Sequence, residues 1–528
     1  MKNPNLVREV STIAQLPSVV GSHYGKKAAL IIEDREITFQ EIEVRSNMIA
    51  NALVRDGVAE GDRIAYIGKD SSDTVLLLFG SARCKSVFVN INWRLAPEEV
   101  VYILQDAAPR ILFLDVEFLR LLPKIDGVAS VQKIVVISGN NVPGHENLWN
   151  WCGGESNSRP ELSYSPDDVV VQIYTSGTTG HPKGVRLPNR SFFSLAQEMD
   201  AAGDKWASWT DETVSLICVP MFHVAGIWQL IRGMALGSTS VMMKNFNPGA
   251  ILKLIPRYRV TLTGMVPSMI HVVLAEPECV GTDFSSLRTI VYGGALVSPA
   301  LLKKAMAVFG CDFLQIYGLT ETGNMAVCLR SEDHRSGDDR KLLAAGRPLP
   351  GVEVRIIDER GHAVGPGSPG QIAIKSPARM AGYWNIPEDT GKTLVDGWIM
   401  TGDIGRMDEE GLIYVCDRSK DMIISAGENI YPAEIENVIR CHEAVADVAV
   451  IGVPHDLWGE AVKAVIVPQP ERQVRSTEII RHARAYLAEF KVPRSVDVVD
   501  ALPRNASGKV LKGKLREPYW QGHARRVN

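Results

Sequence analysis

From Ala28 onward, short apolar runs alternate with amphipathic stretches of helical spacing. Thr38-Phe39-Gln40-Glu41 has the spacing of a capping box, and Ile42, Ile49, Ala52 and Leu53 then fall on one side of the helix it opens. Gly57 supplies the stop. Residues 63–67 read as a strand, 73–85 as a helix, 86–91 as a strand, 97–105 as a helix and 110–114 as a strand. Residues 169–173 are rich in β-branched side chains and predict a buried strand. Strands follow at 213–219, 238–243, 261–265, 289–292 and 313–317, with helical stretches between them. Strand-then-helix alternation predicts mostly parallel sheets covered by helices. Four strands run into unusual endings: VPMFH, MVPS, YGGA and YGLTE. Ligand crevices of open parallel sheets lie beyond the carboxyl ends of strands, so these endings are expected to surround one pocket.

After Arg347 the texture changes to glycine-punctuated β segments at 352–357, 371–375 and 411–416, a smaller β-rich subdomain. The charged run Asp417-Arg418-Ser419-Lys420-Asp421 precedes a new α/β pattern, at 422–425, 432–439, 445–453, 461–467 and 477–488. The expected division is a large N-terminal α/β domain, residues 1–418, and a small α+β C-terminal domain, residues 419–528. The 528 residues, 45% hydrophobic and 22% charged, have an ordinary globular composition. A net charge of −4 offers no basic footprint and argues against nucleic-acid partners. The longest apolar runs, such as 75–80, are too short to span a bilayer, which leaves peripheral contact open. The eight cysteines are scattered without a C-x-x-C, the start lacks a secretory pattern, and Arg526-Val527-Asn528 is no targeting signal. A reducing cytoplasm, and a monomer or homodimer, are the expectation.

Chemistry concentrates first at YTSGTTGHPKG, Tyr174 to Gly184, directly after the buried strand. Gly177, Gly180 and Gly184 allow close backbone approach to an anion. Thr175, Ser176, Thr178 and Thr179 offer hydroxyl donors, and Lys183 a mobile positive charge. The pattern reads as a phosphate grip. The nucleotide loop G-x-x-x-x-G-K-[ST] fails on register, because Lys183 precedes the last glycine and no Ser or Thr follows it. An ordinary polar surface loop is the plain alternative. In Tyr317-Gly318-Leu319-Thr320-Glu321, a glutamate just past a strand end suits Mg²⁺, although a solvated cap would look the same. Thr401-Gly402-Asp403 and PRNASGK, which ends in Lys509, are weaker alone: a turn, and part of a basic tail with Lys512, Lys514 and Arg516.

Together these motifs resemble the adenylate-forming superfamily, which includes acyl-CoA synthetases, luciferases and the adenylation domains of peptide synthetases. The likeness covers nearly the whole chain and is strongest to fatty-acyl-CoA synthetases, with aryl-CoA ligases next. It implies that a carboxylic acid and ATP give an acyl-adenylate and pyrophosphate, and that a thiol, coenzyme A in first place, then displaces AMP. By resemblance the loop grips the β- and γ-phosphates, Thr320 the α-phosphate side and Glu321 Mg²⁺. Tyr317 with Gly318, Gly294 and Ala295 takes the nucleotide, and Asp403 with Arg418 the ribose. Lys509 is the catalytic lysine. Lys420 matches the hinge about which the small domain rotates, and Gly427 and Glu428 lie in the loop lining the pantetheine tunnel, with Ala426 replacing a usual glycine. The acyl pocket would involve His223, Val224, Gly264, Ser268 and Gly293, His223 as a substrate gate rather than a base. Amino-acid activation is disfavoured because Asn247 stands where those adenylation domains place an aspartate. An aryl- or cinnamate-type acid, or loading of a carrier protein, remain alternatives. A phosphate-loop kinase or NTPase would release ADP or phosphate instead of AMP, and a catalytically dead binding protein would trap no activated acid.

Overall fold

The computed structural model describes residues 10–139, 142–175, 182–204, 206–295, 297–418, 421–425, 428–455, 458–487, 489–504 and 509–521. The capping box forms as read: Thr38 Oγ1 accepts from the Glu41 N–H at 3.1 Å, and Glu41 Oε2 accepts from the Thr38 N–H at 2.9 Å. It starts the helix Phe39–Arg55, which packs on the helix Ser72–Arg83. The two approach so closely that a Cβ at Gly80 would lie 2.5 Å from Ile49 Cγ2.

The described residues form four sheets. One runs in the order Arg347–Pro348, Val327–Leu329, Asp312–Tyr317, Thr289–Gly293, Leu262–Met265, Val214–Ile217, Thr239–Met242, Ala28–Ile32, Arg35–Thr38, parallel except at its two ends. The second runs Gly382–Tyr383, Lys183–Pro188, Val169–Thr175, Val87–Ile91, Arg63–Ile67, Ile111–Asp115, Lys133–Ile137, Glu146–Asn147. Its first two pairings are antiparallel and the rest parallel. Val169–Thr175 and Lys183–Pro188 are too close in sequence for the crossover helix that a parallel pair needs, whereas Gly382–Tyr383 joins the sheet edge from far along the chain.

The third sheet is the β-rich subdomain, built on the long strand Trp398–Met407 with Ile413–Arg418 and Gly370–Lys375 beside it. One apolar core joins these three sheets, with Leu262, Val291 and Leu314 from the first, Val171, Ile173 and Val185 from the second, and Ile372, Ile374 and Ile399 from the third. The fourth sheet belongs to the small C-terminal domain, where Val445–His455 and Gly459–Pro468 pair along their length over a separate core of Ile423, Ile435, Val450 and Ile466. Five of the eight cysteines are buried and none is bridged, as small apolar residues would be. No helix among the described residues is long and apolar enough to cross a membrane.

Arg83 is a fully buried cation within the N-terminal helical layer. Its guanidinium donates to the carbonyls of Ala14 and Glu43 at 3.2 and 3.0 Å, to Ser18 Oγ at 3.1 Å, and to the Asn47 and Glu43 side chains. Breaking a buried pair leaves an uncompensated charge, so Glu43→Ala should cost about 3–5 kcal/mol. A denaturation midpoint within error of the parent protein would contradict this.

Candidate active site

Strand Val169–Thr175 reaches the phosphate loop, and the chain returns antiparallel as Lys183–Pro188, with Thr175 opposite Lys183 and Tyr174 opposite Gly184. Ser176, Gly177, Thr178, Thr179 and Gly180 lie outside the described residues. The loop therefore links two strands, whereas a P-loop needs a helix after its lysine. Gly184 permits a close fit, since a Cβ there would sit 2.6 Å from Gln172 Nε2. That amide donates to the Tyr174 hydroxyl at 3.0 Å, which itself donates to Asp106 Oδ2 at 2.5 Å.

Segment 381–384 adds a third layer of pairing across Lys183–Pro188. The Ala381 N–H donates to the Arg186 carbonyl at 2.9 Å and the Trp384 N–H to the Gly184 carbonyl at 2.7 Å. This brings Tyr383 beneath Lys183, whose ammonium lies 5.3 Å from the ring centroid and is paired with Asp389. The Tyr383 hydroxyl donates to Glu321 Oε1 at 2.8 Å, and the Glu321 carbonyl accepts from the Met380 N–H at 2.8 Å. Burial, with Glu321 beside it, pushes the Tyr383 phenol up, so it stays a donor. One tyrosine thus couples the phosphate loop to YGLTE. Sequence reading passed over Tyr383 and Asp389; the available signal was the aromatic and proline cluster GYWNIPEDT.

Thr320–Thr322 is a single 3-10 turn after strand Asp312–Tyr317, closed by the Leu319 N–H donating to Thr322 Oγ1 at 2.9 Å. Gly318 is needed there, because a Cβ would lie 2.4 Å from the Asn324 carbonyl oxygen. The Tyr317 hydroxyl donates to Asp403 Oδ2 at 2.8 Å. Asp403 is buried, its N–H held by Thr401 Oγ1 at 3.0 Å, and its cross-strand partner is Arg418. The structure therefore links Tyr317 to Asp403, and Glu321 to Lys183 through Tyr383, with the Arg418 backbone in register with Asp403. On the neighbouring strand, Gly293 pairs in register with Ile316, and Gly294 (φ +80°) and Ala295 are exposed just beyond.

The acyl-pocket candidates sit on adjoining strand ends. Gly264 pairs with Ile217 on one side and Val291 on the other, so VPMFH, MVPS, YGGA and YGLTE follow four consecutive strands of one sheet. A Cβ at Gly264 would lie 2.8 Å from Gln229 Oε1 and one at Gly293 2.4 Å from the Ile316 carbonyl oxygen. His223 caps the helix Val224–Ala235, Val224 is buried behind it, and Ser268 is exposed in the helix Pro267–Ala275. Burial and then Arg94's positive charge push the His223 imidazole down to about 4, so it is neutral at physiological pH.

Asp70, also missed from sequence, anchors this corner: its buried Oδ2 accepts from the Met221 N–H at 3.0 Å. Burial pushes its carboxyl up from 3.8 to about 7, opposed by the Met221 N–H and Arg94. Between those two values the native state keeps a proton that the unfolded chain has lost, so Asp70 makes stability fall as pH rises through that window. Asp70→Asn, which can still accept the Met221 N–H, should gain on the parent protein as pH rises and level off above about 7. Melting curves of both proteins across pH check this; a constant difference refutes it.

Lys509 is exposed on the C-terminal domain, beside the bridge between Arg504 and Val510. Glu428 opens the strand Glu428–Ile430, opposite Ser425. Lys420 and Gly427 lie outside the described residues. Among the described residues no three His, Cys, Asp or Glu side chains gather as a metal cage. The Glu321 carboxylate, which Tyr383 joins to Lys183, fits Mg²⁺, which takes one or two carboxylates plus phosphate oxygens. The buried Asp403 carboxylate, held by the Tyr317 hydroxyl, likewise fits a nucleotide's ribose.

The model for AMP-binding enzymes matches residues 19–384, and that for the AMP-binding enzyme C-terminal domain matches residues 434–509. A fatty acid–acyl-carrier-protein ligase of Streptomyces coeruleorubidus is 41% identical, covering 98% of this chain and 99% of its own. A long-chain-fatty-acid–CoA ligase of Mycobacterium tuberculosis is 36% identical over 92% of this chain and 94% of its own. The ATP-bound crystal structure of MatB from Rhodopseudomonas palustris superposes with a TM-score of 0.87 at 29% identity, covering 97% of this chain and 100% of that one. With both family domains matched in order along one chain, the protein belongs to the AMP-binding enzyme family and is an ATP-dependent, AMP-forming acyl ligase of the adenylate-forming superfamily.

Proposed function

We propose that the protein joins a hydrophobic carboxylic acid, a fatty acid in first place, to coenzyme A through an acyl-adenylate. The observation that carries this reading is the linkage of Lys183 to Glu321 through Tyr383, and of Tyr317 to Asp403, at the ends of adjoining strands that also carry Gly264 and Gly293. The relatives' names support the substrate class: one ligates long-chain fatty acids to CoA. The glycines at 264 and 293 let neighbouring chain segments pack closely at these strand ends, and the neutral His223 gates the pocket without placing a second charge beside the acid.

In the first step a carboxylate oxygen attacks the α-phosphorus; an O–P bond forms, the bond to the β-phosphate breaks, and pyrophosphate leaves. Both reactants are anions, so the barrier falls when fixed positive groups meet the charge of the in-line transition state. Lys509 is assigned that task, with Thr320 on the α-phosphate side. Lys183 and the hydroxyls of 175–179 hold the departing pyrophosphate, Asp403 and Arg418 the ribose, and Glu321 would hold Mg²⁺, which supplies charge neutralisation when bound. In the second step the thiol gives up its proton, sulfur attacks the acyl carbon, and the bond to AMP breaks. We place the domain boundary at 418/419 and a hinge near Lys420, so that rotation withdraws Lys509 and brings Gly427 and Glu428 to a pantetheine tunnel.

A second acceptor, the pantetheine thiol of an acyl-carrier protein, is favoured by the relative at 41% identity, whose name specifies that acceptor. Incubation with ATP, a panel of fatty and aryl acids, and either coenzyme A or a carrier protein should yield AMP and one thioester. ADP without AMP would refute the reading. Lys509→Ala should lower acyl-adenylate formation by about 10²–10³ or more, the cost of losing a main electrostatic stabiliser. Thioester formation from synthetic acyl-AMP should stay near the parent rate, and equal loss in both half-reactions would overturn the role of Lys509.

A further inference from the structure

Lys183 does not reach the phosphate loop alone. Its backbone is locked in a strand paired on both edges, so only the four-carbon stem can move the ammonium. Asp389 sits on the helix Pro387–Thr393, which is tied to the same sheet: the Tyr383 N–H donates to Thr390 Oγ1 at 2.9 Å, and Thr390 Oγ1 donates to the Ile386 carbonyl at 2.9 Å. Trp384 fixes the segment from the other side, its indole N–H donating to the Asp106 carbonyl at 2.8 Å. The carboxylate is therefore held in place beside a mobile cation. Lys183's hydrogen bond holds the Asp389 carboxyl below its ordinary value, so it is an anion at neutral pH. Asp389 also has Lys392, whose ammonium is 4.0 Å away and largely exposed, so losing Lys183 would not strand it without a counter-charge.

We propose that Asp389 is a positioning residue that weakens the site's grip on pyrophosphate by competing with polyphosphate oxygens for Lys183, and so promotes release of the first product. The inference rests on reading Lys183 as the leaving-group clamp. A clamp that binds a highly charged product tightly slows turnover, and a fixed neighbouring anion counters this without altering the reacting atoms, because interactions equal in ground and transition states do not change the chemical barrier. Tyr383 limits the movement of the ammonium, its ring lying 5.3 Å from the charge while its hydroxyl is engaged by Glu321.

The test compares Asp389→Asn, Asp389→Glu, Lys183→Ala and the Lys183→Ala/Asp389→Asn double variant in full-length protein. The readouts are KM for ATP, product inhibition by pyrophosphate, and thioester formation from synthetic acyl-AMP. Asp389→Asn should lower the pyrophosphate inhibition constant and KM for ATP by about fivefold each, the scale of a partly exposed ion pair. Asp389→Glu should restore parent values, the acyl-AMP half-reaction should not change, and the Asp389→Asn effect should vanish without Lys183. If Lys183→Ala weakens pyrophosphate but Asp389→Asn changes neither constant or raises both, the competition is refuted while the clamp stands. If Lys183→Ala leaves both constants unchanged, the clamp assignment fails and the inference with it.

Discussion

The strand Lys183–Pro188 is held between two antiparallel neighbours, and the arrangement of the site follows from that pairing. On one edge it ties the phosphate loop to Val169–Thr175, so both ends of that loop are anchored by backbone hydrogen bonds. On the other it captures segment 381–384, which carries Tyr383 and orients the short helix bearing Asp389. A single register thus places a cation, an aromatic face and a carboxylate from distant parts of the chain against one another. Slipping the pairing by one residue would turn each side chain to the opposite face.

A second joint connects the large sheets to the β-rich subdomain. Tyr317, at the end of a parallel strand, donates to Asp403 on the long strand Trp398–Met407. Since Tyr383 already binds Glu321, four residues beyond Tyr317, the two joints share the YGLTE turn. The glycine at 318 lets that turn fold against the Asn324 carbonyl. On the proposed reading this rigid assembly binds the nucleotide, while Lys509 arrives from the other domain, a division suited to one chain performing two chemical steps.

Charge is managed differently around His223 and Asp70. His223 is kept neutral by burial and Arg94, and Asp70 is kept close to neutrality by burial even though it holds the backbone of Met221. On the proposed reading an uncharged His223 suits an apolar substrate, because a buried unpaired ion carries a desolvation cost. The phosphate side has the opposite character, with Lys183, Asp389 and Lys392 close together and nearer to solvent.

Local order was legible in the sequence because it depends on neighbours along the chain. The box at Thr38–Glu41, the β-branched run before the phosphate loop, and the glycine-marked strand endings are encoded within a few residues, and each forms where the pattern puts it. The family resemblance likewise rested on contiguous motifs. The return of the chain as an antiparallel strand at Lys183 was not legible, since a short apolar run carries no mark of its pairing direction. Nor were Tyr383, Asp389 and Asp70, whose significance lies in partners far off in sequence: 62 residues between Tyr383 and Glu321, 151 between Asp70 and Met221. Sequence determined which segments become strands, helices and glycine turns, because propensity and periodicity are local. Only the tertiary structure decided which side chains meet, because sheet order and register bring together residues that no local pattern relates.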